Sequence, residues 1–142
     1  MSRFKKKSGF TLIEMLVVIS IIAVLVAIII PTVTSATTKA KAATDAANLR
    51  SILGTANALL VDNPTDVAGT IAGMTPFACK TFPDARPVIY YESPGFIMAY
   101  FTSGTSVYTI EAFAETAETG KAPTPSRQPT GGTFYEVGGG NS

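Results

Sequence analysis

The sequence predicts an α+β protein in which one long N-terminal helix packs on a small antiparallel sheet. A continuous apolar segment, residues 10–30, passes directly into residues 31–62, where apolar residues recur at helical spacing. Three short segments rich in β-branched and aromatic residues follow, and the joins between them are short enough to require antiparallel hairpins. We therefore expect a β-meander of three to four strands with one face laid on the helix.

The apolar segment predicts a membrane-spanning helix. Residues 10–30 read FTLIEMLVVISIIAVLVAIII, and at 1.5 Å per residue they form a helix about 31 Å long, which matches the hydrocarbon core of a bilayer. The preceding leader, residues 1–9, is short and carries four cations: Arg3, Lys5, Lys6 and Lys7. Because cationic flanks stay in the cytoplasm, we expect a single-pass protein with its N-terminus inside and its C-terminus outside.

Two features of this segment argue against a plain membrane anchor. Ser8-Gly9 is a small, flexible junction ahead of the apolar run, where a peptidase at the membrane face can reach it. Glu14 places a carboxylate inside the span, where an ionised group costs about 2.5–3.5 kcal/mol. Cleavage between Gly9 and Phe10 would create an α-amine one helical turn before Glu14. The carboxylate would then pair with its own amine, or with the amine of a neighbouring subunit and so set the axial register between subunits.

The stretch KKKSGFTLIEMLVVISIIAVLVAIIIP resembles the N-terminus of the type IV pilin and pseudopilin superfamily. The family pattern is a short basic leader, Gly before the cut, Phe first in the mature chain and Glu fifth, and Gly9, Phe10 and Glu14 fall on those positions. The resemblance implies that a membrane prepilin peptidase cuts after Gly9 and N-methylates Phe10, and that Glu14 acts in filament assembly. Pro31 falls where many family members have a helix-kinking proline.

The resemblance also implies a function and a set of partners. The expected function is that of a structural subunit, the major pilin of a type IV pilus-like filament. The alternative is a pseudopilin of a type II secretion or DNA-uptake (competence) system. The expected partners are further copies of the chain in a helical filament, the prepilin peptidase, an inner-membrane assembly platform, and the membrane before assembly. A third hypothesis, a monomeric anchored protein that binds through its sheet, would tolerate the loss of Glu14.

Residues 31–62 are expected to continue the same helix, which would run from about Thr11 to Val61. Pro31 removes one backbone hydrogen bond and is expected to kink or locally unwind it. Apolar side chains after Pro31 form a stripe of small residues (Val33, Ala36, Ala40, Ala43 and Ala47) and then a stronger stripe (Leu49, Ile52, Leu53, Ala56, Leu59 and Leu60). Charged residues are expected to lie off this face: Lys39, Lys41, Asp45 and Arg50. Asp62-Asn63-Pro64 is a stop signal.

Residues 63–142 are expected to form an extracytoplasmic β domain with loops and a mobile tail. Residues 63–86 are rich in Pro, Gly, Thr and Asp and predict an irregular connection. The predicted strands are Pro87–Glu92, Gly95–Thr102 and Ser106–Phe113, with Phe134–Val137 as a fourth. Lys121–Gly132 is expected to be a loop, and Gly138–Ser142 the tail.

The composition argues against enzymatic, cofactor-dependent and nucleic-acid-binding functions. The chain has no histidine, which is the commonest general base and metal ligand, and no nucleophile has an evident base beside it. Without the leader the side chains are slightly acidic, so no basic face for nucleic acid is expected. The late acids are expected to form a solvated face and not a calcium site, which needs six to eight converging oxygens. These acids are Glu111, Glu115, Glu118 and Glu136.

The single cysteine, Cys79, cannot form an intrachain disulfide. It is expected to be a small, partly buried apolar residue. The alternative is an intermolecular bridge in an oxidising compartment.

Overall fold

The computed structural model describes residues 9–93 and 96–138, which contain three helices and four strands. The helices are α1 (Leu12–Asp62), α2 (Val67–Ala72) and α3 (Ile110–Thr119), and the strands are β1 (Arg86–Glu92), β2 (Phe96–Ser103), β3 (Ser106–Thr109) and β4 (Thr133–Glu136). The chain divides into two compact units, of which the first ends at Ser35 and the second begins at Ala36. The predicted α+β class, a long helix with a small antiparallel sheet, is confirmed.

The long helix α1 extends to within one residue of both predicted ends. It is unbroken at Pro31, so the chain does not unwind there, and a bend at this residue stays a prediction. Two hydroxyl groups bond to backbone carbonyls near the proline. Thr32 Oγ1 donates to the Ile29 carbonyl at 2.7 Å and Thr34 Oγ1 donates to the Pro31 carbonyl at 3.0 Å. Neither bond reaches the carbonyl of Ala27, which is the one that loses its helical N–H donor at Pro31.

The stronger apolar stripe of α1 faces the core of the second unit, as predicted. Leu49, Ile52, Ala56 and Leu60 are buried, and Leu53 packs against the same cluster. Leu59 is the exception, because it is 37% exposed. The prediction of a six-residue buried stripe was therefore right at five positions and wrong at Leu59.

The predicted stripe of small residues lies on the wrong face of α1. Val33, Ala36, Ala40, Ala43 and Ala47 are all exposed, while the buried face continues through Ala46, Asp45 and Ala42. The reason is helical geometry: steps of three or four residues back from Leu49 lead to Ala46 and Asp45, whereas Ala47 lies about 200° around the helix from Leu49. Asp45, which was expected off the stripe, is fully buried.

The sheet has the strand order β3-β2-β1-β4 and every pairing is antiparallel. Strands β1, β2 and β3 form the predicted meander, and β4 returns to the free edge of β1, with Ile89 opposite Ala99 on one side and opposite Tyr135 on the other. Ile89, Ala99 and Phe101 share one buried cluster with the inner face of α1. This cluster is the main core of the second unit.

The third predicted strand is wrong after Thr109, where the chain turns into α3. The Thr109 side chain caps this helix by accepting a hydrogen bond from the Ala112 N–H, and Gly120 ends it in a left-handed conformation at φ 77°. The segment EAFAETAET is dominated by alanine and glutamate, which favour a helix, and this preference outweighs the aromatic and β-branched character of its start. Phe113 on α3 is buried edge-on against Phe101.

The connecting segment, residues 63–85, is irregular as predicted except for α2. Asp66 caps this short helix, and its side chain accepts a hydrogen bond from the Gly69 N–H at 2.9 Å. The Asp-x-x-Gly cap was not predicted, because the Pro and Gly residues around it indicate loop structure. Ile71 of α2 is fully buried in the main core.

The outer face of the sheet carries a second buried cluster of Tyr90, Tyr100 and Val107. The predicted loop crosses this region, and it is held where Ser126 N–H donates to the Val107 carbonyl at 2.7 Å and where the Tyr90 hydroxyl lies 3.0 Å from the Thr130 carbonyl. The predicted leader other than Gly9, and the predicted tail other than Gly138, lie outside the described residues.

Candidate processing and assembly site

Helix α1 begins with a reciprocal capping box formed by Thr11 and Glu14. The Glu14 carboxylate accepts a hydrogen bond from the Thr11 backbone N–H at 2.8 Å, and the Glu14 N–H donates to Thr11 Oγ1 at 3.4 Å. The spacing S/T-x-x-E/Q is the sequence signature of this arrangement, in which each residue satisfies a backbone donor at the helix start. Thr11 therefore belongs to the candidate site, and although it was not predicted, the spacing Thr11-x-x-Glu14 is a signal for it in the sequence.

Glu14 is positioned by this box at the first turn of α1. Among the described residues, Thr11 is the hydrogen-bond partner of the Glu14 side chain, and none of the described Lys or Arg side chains lies within ion-pairing distance of it. A carboxylate can accept several hydrogen bonds, so one bond from a backbone N–H leaves acceptor capacity. The Glu14 carboxylate is near the position at which cleavage after Gly9 would create the α-amine of Phe10.

Gly9 and Phe10 precede the helix and are exposed, with Phe10 exposed to 78%. Gly9 does not adopt a positive φ, and a Cβ added to it would meet nothing within 4 Å. The fold of this chain therefore does not require glycine at position 9. If glycine is required at position 9, the requirement comes from another molecule that binds the segment around Gly9.

The part of α1 that follows is apolar on every side, and its side chains are exposed in the part of the chain that the structure describes. One helix of the described residues, α1, is long and apolar enough to cross a membrane, and its most apolar window is entirely unburied. The single hydroxyl in the middle of this window, that of Ser20, donates to the Leu16 carbonyl at 2.7 Å, so it does not present an unpaired donor to an apolar environment. A helix that is hydrophobic all round requires cover from lipid or from other helices.

The remaining candidate groups do not converge on a second site. Glu111, Glu115 and Glu118 lie on the exposed side of α3. No group of three or more His, Cys, Asp or Glu residues in the described ranges is arranged to hold a metal ion.

Cys79 is more buried than the sequence suggested, with 3% of its surface exposed. Its Sγ lies 3.4 Å from the Asp45 carboxylate, to which it donates, and 3.4 Å from the Phe82 N–H, from which it accepts. Burial raises the pKa of the Cys79 thiol to about 11. An intermolecular disulfide needs an accessible thiolate, so the apolar interpretation of Cys79 fits this environment better than the bridge.

Residues 4–30 match the family model described as the prokaryotic N-terminal methylation motif. No curated protein and no solved structure matches the chain. The methylation motif is the signature of type IV pilins and pseudopilins, and this chain carries it. The motif indicates a type IV pilin-like or pseudopilin protein, and together with the apolar helix it fits a membrane-anchored precursor. It also implies processing by a prepilin peptidase and assembly into a filament.

Proposed function

We propose that this protein is a structural subunit, the major pilin, of a type IV pilus-like filament. One observation carries the proposal: the methylation motif coincides with an apolar helix whose surface is exposed among the described residues. In the membrane, lipid covers that surface. In the filament, identical helices replace the lipid, so the apolar surface passes from one cover to another without entering water.

Processing is the first step of the proposed mechanism. A prepilin peptidase at the cytoplasmic face cuts between Gly9 and Phe10 and methylates the new Phe10 amine. The cut leaves the peptide bond between Phe10 and Thr11 intact, so the bond from the Thr11 N–H to Glu14 survives it. The mature chain then begins with the cationic α-amine of Phe10, one residue before the Thr11 N–H that binds the Glu14 carboxylate.

Assembly is the second step, and Glu14 directs it. In a bundle of apolar helices a buried carboxylate is costly unless a cation and hydrogen-bond donors satisfy it. The amine of Phe10, from the same subunit or from its neighbour, supplies that cation. Pairing with a neighbour allows only the stagger that brings the two charges together. An inner-membrane platform would extract the helix, with the C-terminal domain already outside.

The pseudopilin alternative uses the same N-terminal chemistry and differs in where the filament grows. Recovery of this chain in filaments sheared from the cell surface supports the pilus. Confinement of the chain to the cell envelope, with a secretion or DNA-uptake defect when its gene is deleted, supports the pseudopilus.

Mass spectrometry of the chain recovered from membranes or filaments tests the processing step. The mature protein should begin at Phe10 and carry one methyl group on its amine. Gly9→Ala is the informative variant, because the fold leaves room for a methyl group at position 9 and any processing defect then belongs to recognition by the peptidase. Recovery of only the intact Met1 chain, in cells with an active prepilin peptidase, would contradict the proposal.

Glu14 variants test the assembly step. Glu14→Gln keeps the size of the side chain and its oxygen acceptor for Thr11 but removes the charge, so the protein should be inserted and cleaved while filaments become sparse or absent. Glu111→Gln is the matched control, because Glu111 lies on the exposed side of α3, and its filaments should be normal. Electron microscopy and immunoblots of membranes measure the two outcomes. Normal filaments from Glu14→Gln would show that charge pairing does not set the register.

A further inference from the structure

A buried carboxylate joins α1 to the connecting segment in the second unit. Asp45 is fully buried, and its oxygens accept hydrogen bonds from the Lys80 N–H at 2.6 Å, the Thr81 N–H at 2.8 Å and Thr81 Oγ1 at 2.6 Å. The Cys79 thiol adds a fourth, weaker contact at 3.4 Å. All four donors come from three consecutive residues that lie 34 to 36 positions further along the chain.

This arrangement suits a carboxylate and no neutral side chain of the same size. A carboxylate offers two acceptor oxygens and no donor, and here both oxygens are used. An asparagine at this position would direct its NH₂ group toward one of the backbone N–H donors. The hydrogen bonds are charge-assisted and therefore stronger than bonds between neutral groups. Lys80 contributes its backbone N–H, and no ammonium or guanidinium group in the described ranges forms an ion pair with Asp45.

Cys79 is held in place by the same contacts. Its Sγ lies between the Asp45 carboxylate and the Phe82 N–H, and it is almost fully buried. A reagent that attacks the sulfur needs both solvent access and a thiolate. Neither condition is met while residues 79–82 stay on α1.

We propose that Asp45 is a conformational clasp, which holds residues 79–82 of the connecting segment against α1 without a covalent link and keeps Cys79 inaccessible until it opens. The chain has one cysteine, so no intrachain disulfide can close this segment. The clasp is a property of the second unit and does not depend on the filament proposal. It opens as a local event, in which residues 79–82 leave α1 while the sheet stays folded.

Two measurements on the full chain in detergent micelles test the clasp. The first is the rate at which a thiol reagent such as DTNB labels Cys79, and the second is hydrogen exchange of the Lys80 and Thr81 amides. In Asp45→Asn we expect labelling to accelerate about tenfold or more, since buried donors lose their acceptor. The Lys80 and Thr81 amides should lose protection while the amides of β1 and β2 keep theirs.

Asp66→Asn is the matched control, because Asp66 is an exposed carboxylate in the same segment that caps α2 through the Gly69 N–H. Its Cys79 labelling rate should equal that of the unaltered chain. Unchanged labelling in Asp45→Asn would overturn the proposal. Loss of protection in β1 and β2 in step with residues 80 and 81 would also overturn it, because Asp45 would then support the whole fold and not a separate clasp.

Thr81 provides a test that keeps the carboxylate, in case Asp45→Asn does not fold. Thr81→Val preserves the shape of the side chain but removes the hydroxyl that donates to Asp45, whereas Thr81→Ser retains a hydroxyl. Labelling of Cys79 should rise severalfold in Thr81→Val and stay near normal in Thr81→Ser. In the unaltered chain the Lys80 and Thr81 amides should be strongly protected, and rapid exchange of both would refute the clasp.

Discussion

Two tyrosines on the outer face of the sheet show how much the surroundings of a single polar atom matter. Tyr90 and Tyr100 are both buried in the same small cluster. The Tyr90 hydroxyl lies 3.0 Å from both Glu92 Oε2 and the Thr130 carbonyl, which ties the loop before β4 to the sheet. The Tyr100 hydroxyl makes no hydrogen bond of good geometry among the described residues. Burial raises its pKa to about 12, while the neighbouring Gln128 side chain acts in the opposite direction. The two side chains therefore contribute differently to stability.

Substitution by phenylalanine separates these contributions. Tyr90→Phe removes a satisfied hydroxyl and should lower the free energy of unfolding by about 0.5–1.5 kcal/mol. Tyr100→Phe removes an unsatisfied buried hydroxyl and should be nearly neutral or slightly stabilising. Chemical denaturation of the two variants in the same detergent provides the comparison. A larger loss of stability in Tyr100→Phe than in Tyr90→Phe would contradict the assignment of partners.

At the scale of the element, α1 combines three kinds of helix surface in one continuous segment. Its first part is apolar and exposed on every side, whereas within the second unit it has one buried and one exposed face. The exposed face carries the alanines at positions 36, 40, 43 and 47, and the buried face carries three larger apolar residues (Leu49, Ile52 and Leu60) together with three other alanines (Ala42, Ala46 and Ala56). The stability of the second unit therefore depends on the buried face and not on the four exposed alanines.

Ile52 and Leu59 provide a matched test of the helix face. Ile52 is fully buried and Leu59 is 37% exposed, although the two side chains have equal numbers of carbon atoms. Ile52→Ala should lower the free energy of unfolding by about 2–5 kcal/mol, because it leaves a cavity in the core. Leu59→Ala should cost less than about 1 kcal/mol. Equal shifts in the denaturation midpoint would mean that the buried face is wrongly assigned.

At the scale of the whole molecule, the boundary between the two units falls between Ser35 and Ala36. The described part of the first unit, residues 9–35, has no core of its own, because its apolar side chains are exposed. The second unit contains the sheet, α2, α3 and the buried part of α1, and one contiguous hydrophobic cluster joins them. The core that stabilises the fold therefore belongs to the second unit, and the apolar helix surface that fits a membrane anchor belongs to the first.

Removal of the first unit tests this division. A protein that begins at Ala36 should be soluble and monomeric, and it should keep the cooperative unfolding transition of a folded domain. The buried face of α1 starts at Ala42, so the truncation removes no core residue. Gel filtration and circular dichroism measure these outcomes. Aggregation or loss of the transition would mean that the fold needs residues before Ala36.

The fold class, the course of α1 and the meander were predictable because they depend on periodicity along the chain. An apolar run, the helical spacing of apolar residues and the alternation of residues in a strand can each be recognised within a short stretch of sequence. The strand order β3-β2-β1 follows from the short joins between these strands. The candidate site was predictable for the same reason, since Gly9, Phe10 and Glu14 lie within six residues of one another. Even the partner that was missed, Thr11, lies three residues from Glu14.

Two of the wrongly predicted features depend on contacts between distant segments or on competition between local preferences. The change from strand to helix at Thr109 follows from a cap and a helix-favouring segment that together outweigh the strand pattern before them. The burial of Asp45 could not be inferred from α1, because a carboxylate is normally an outward residue unless donors surround it. Its donors include the backbone N–H groups of Lys80 and Thr81. Almost every residue has a backbone N–H, so the sequence does not indicate which of them will bond to Asp45. These two N–H groups meet Asp45 only because the folded chain brings the connecting segment back to α1.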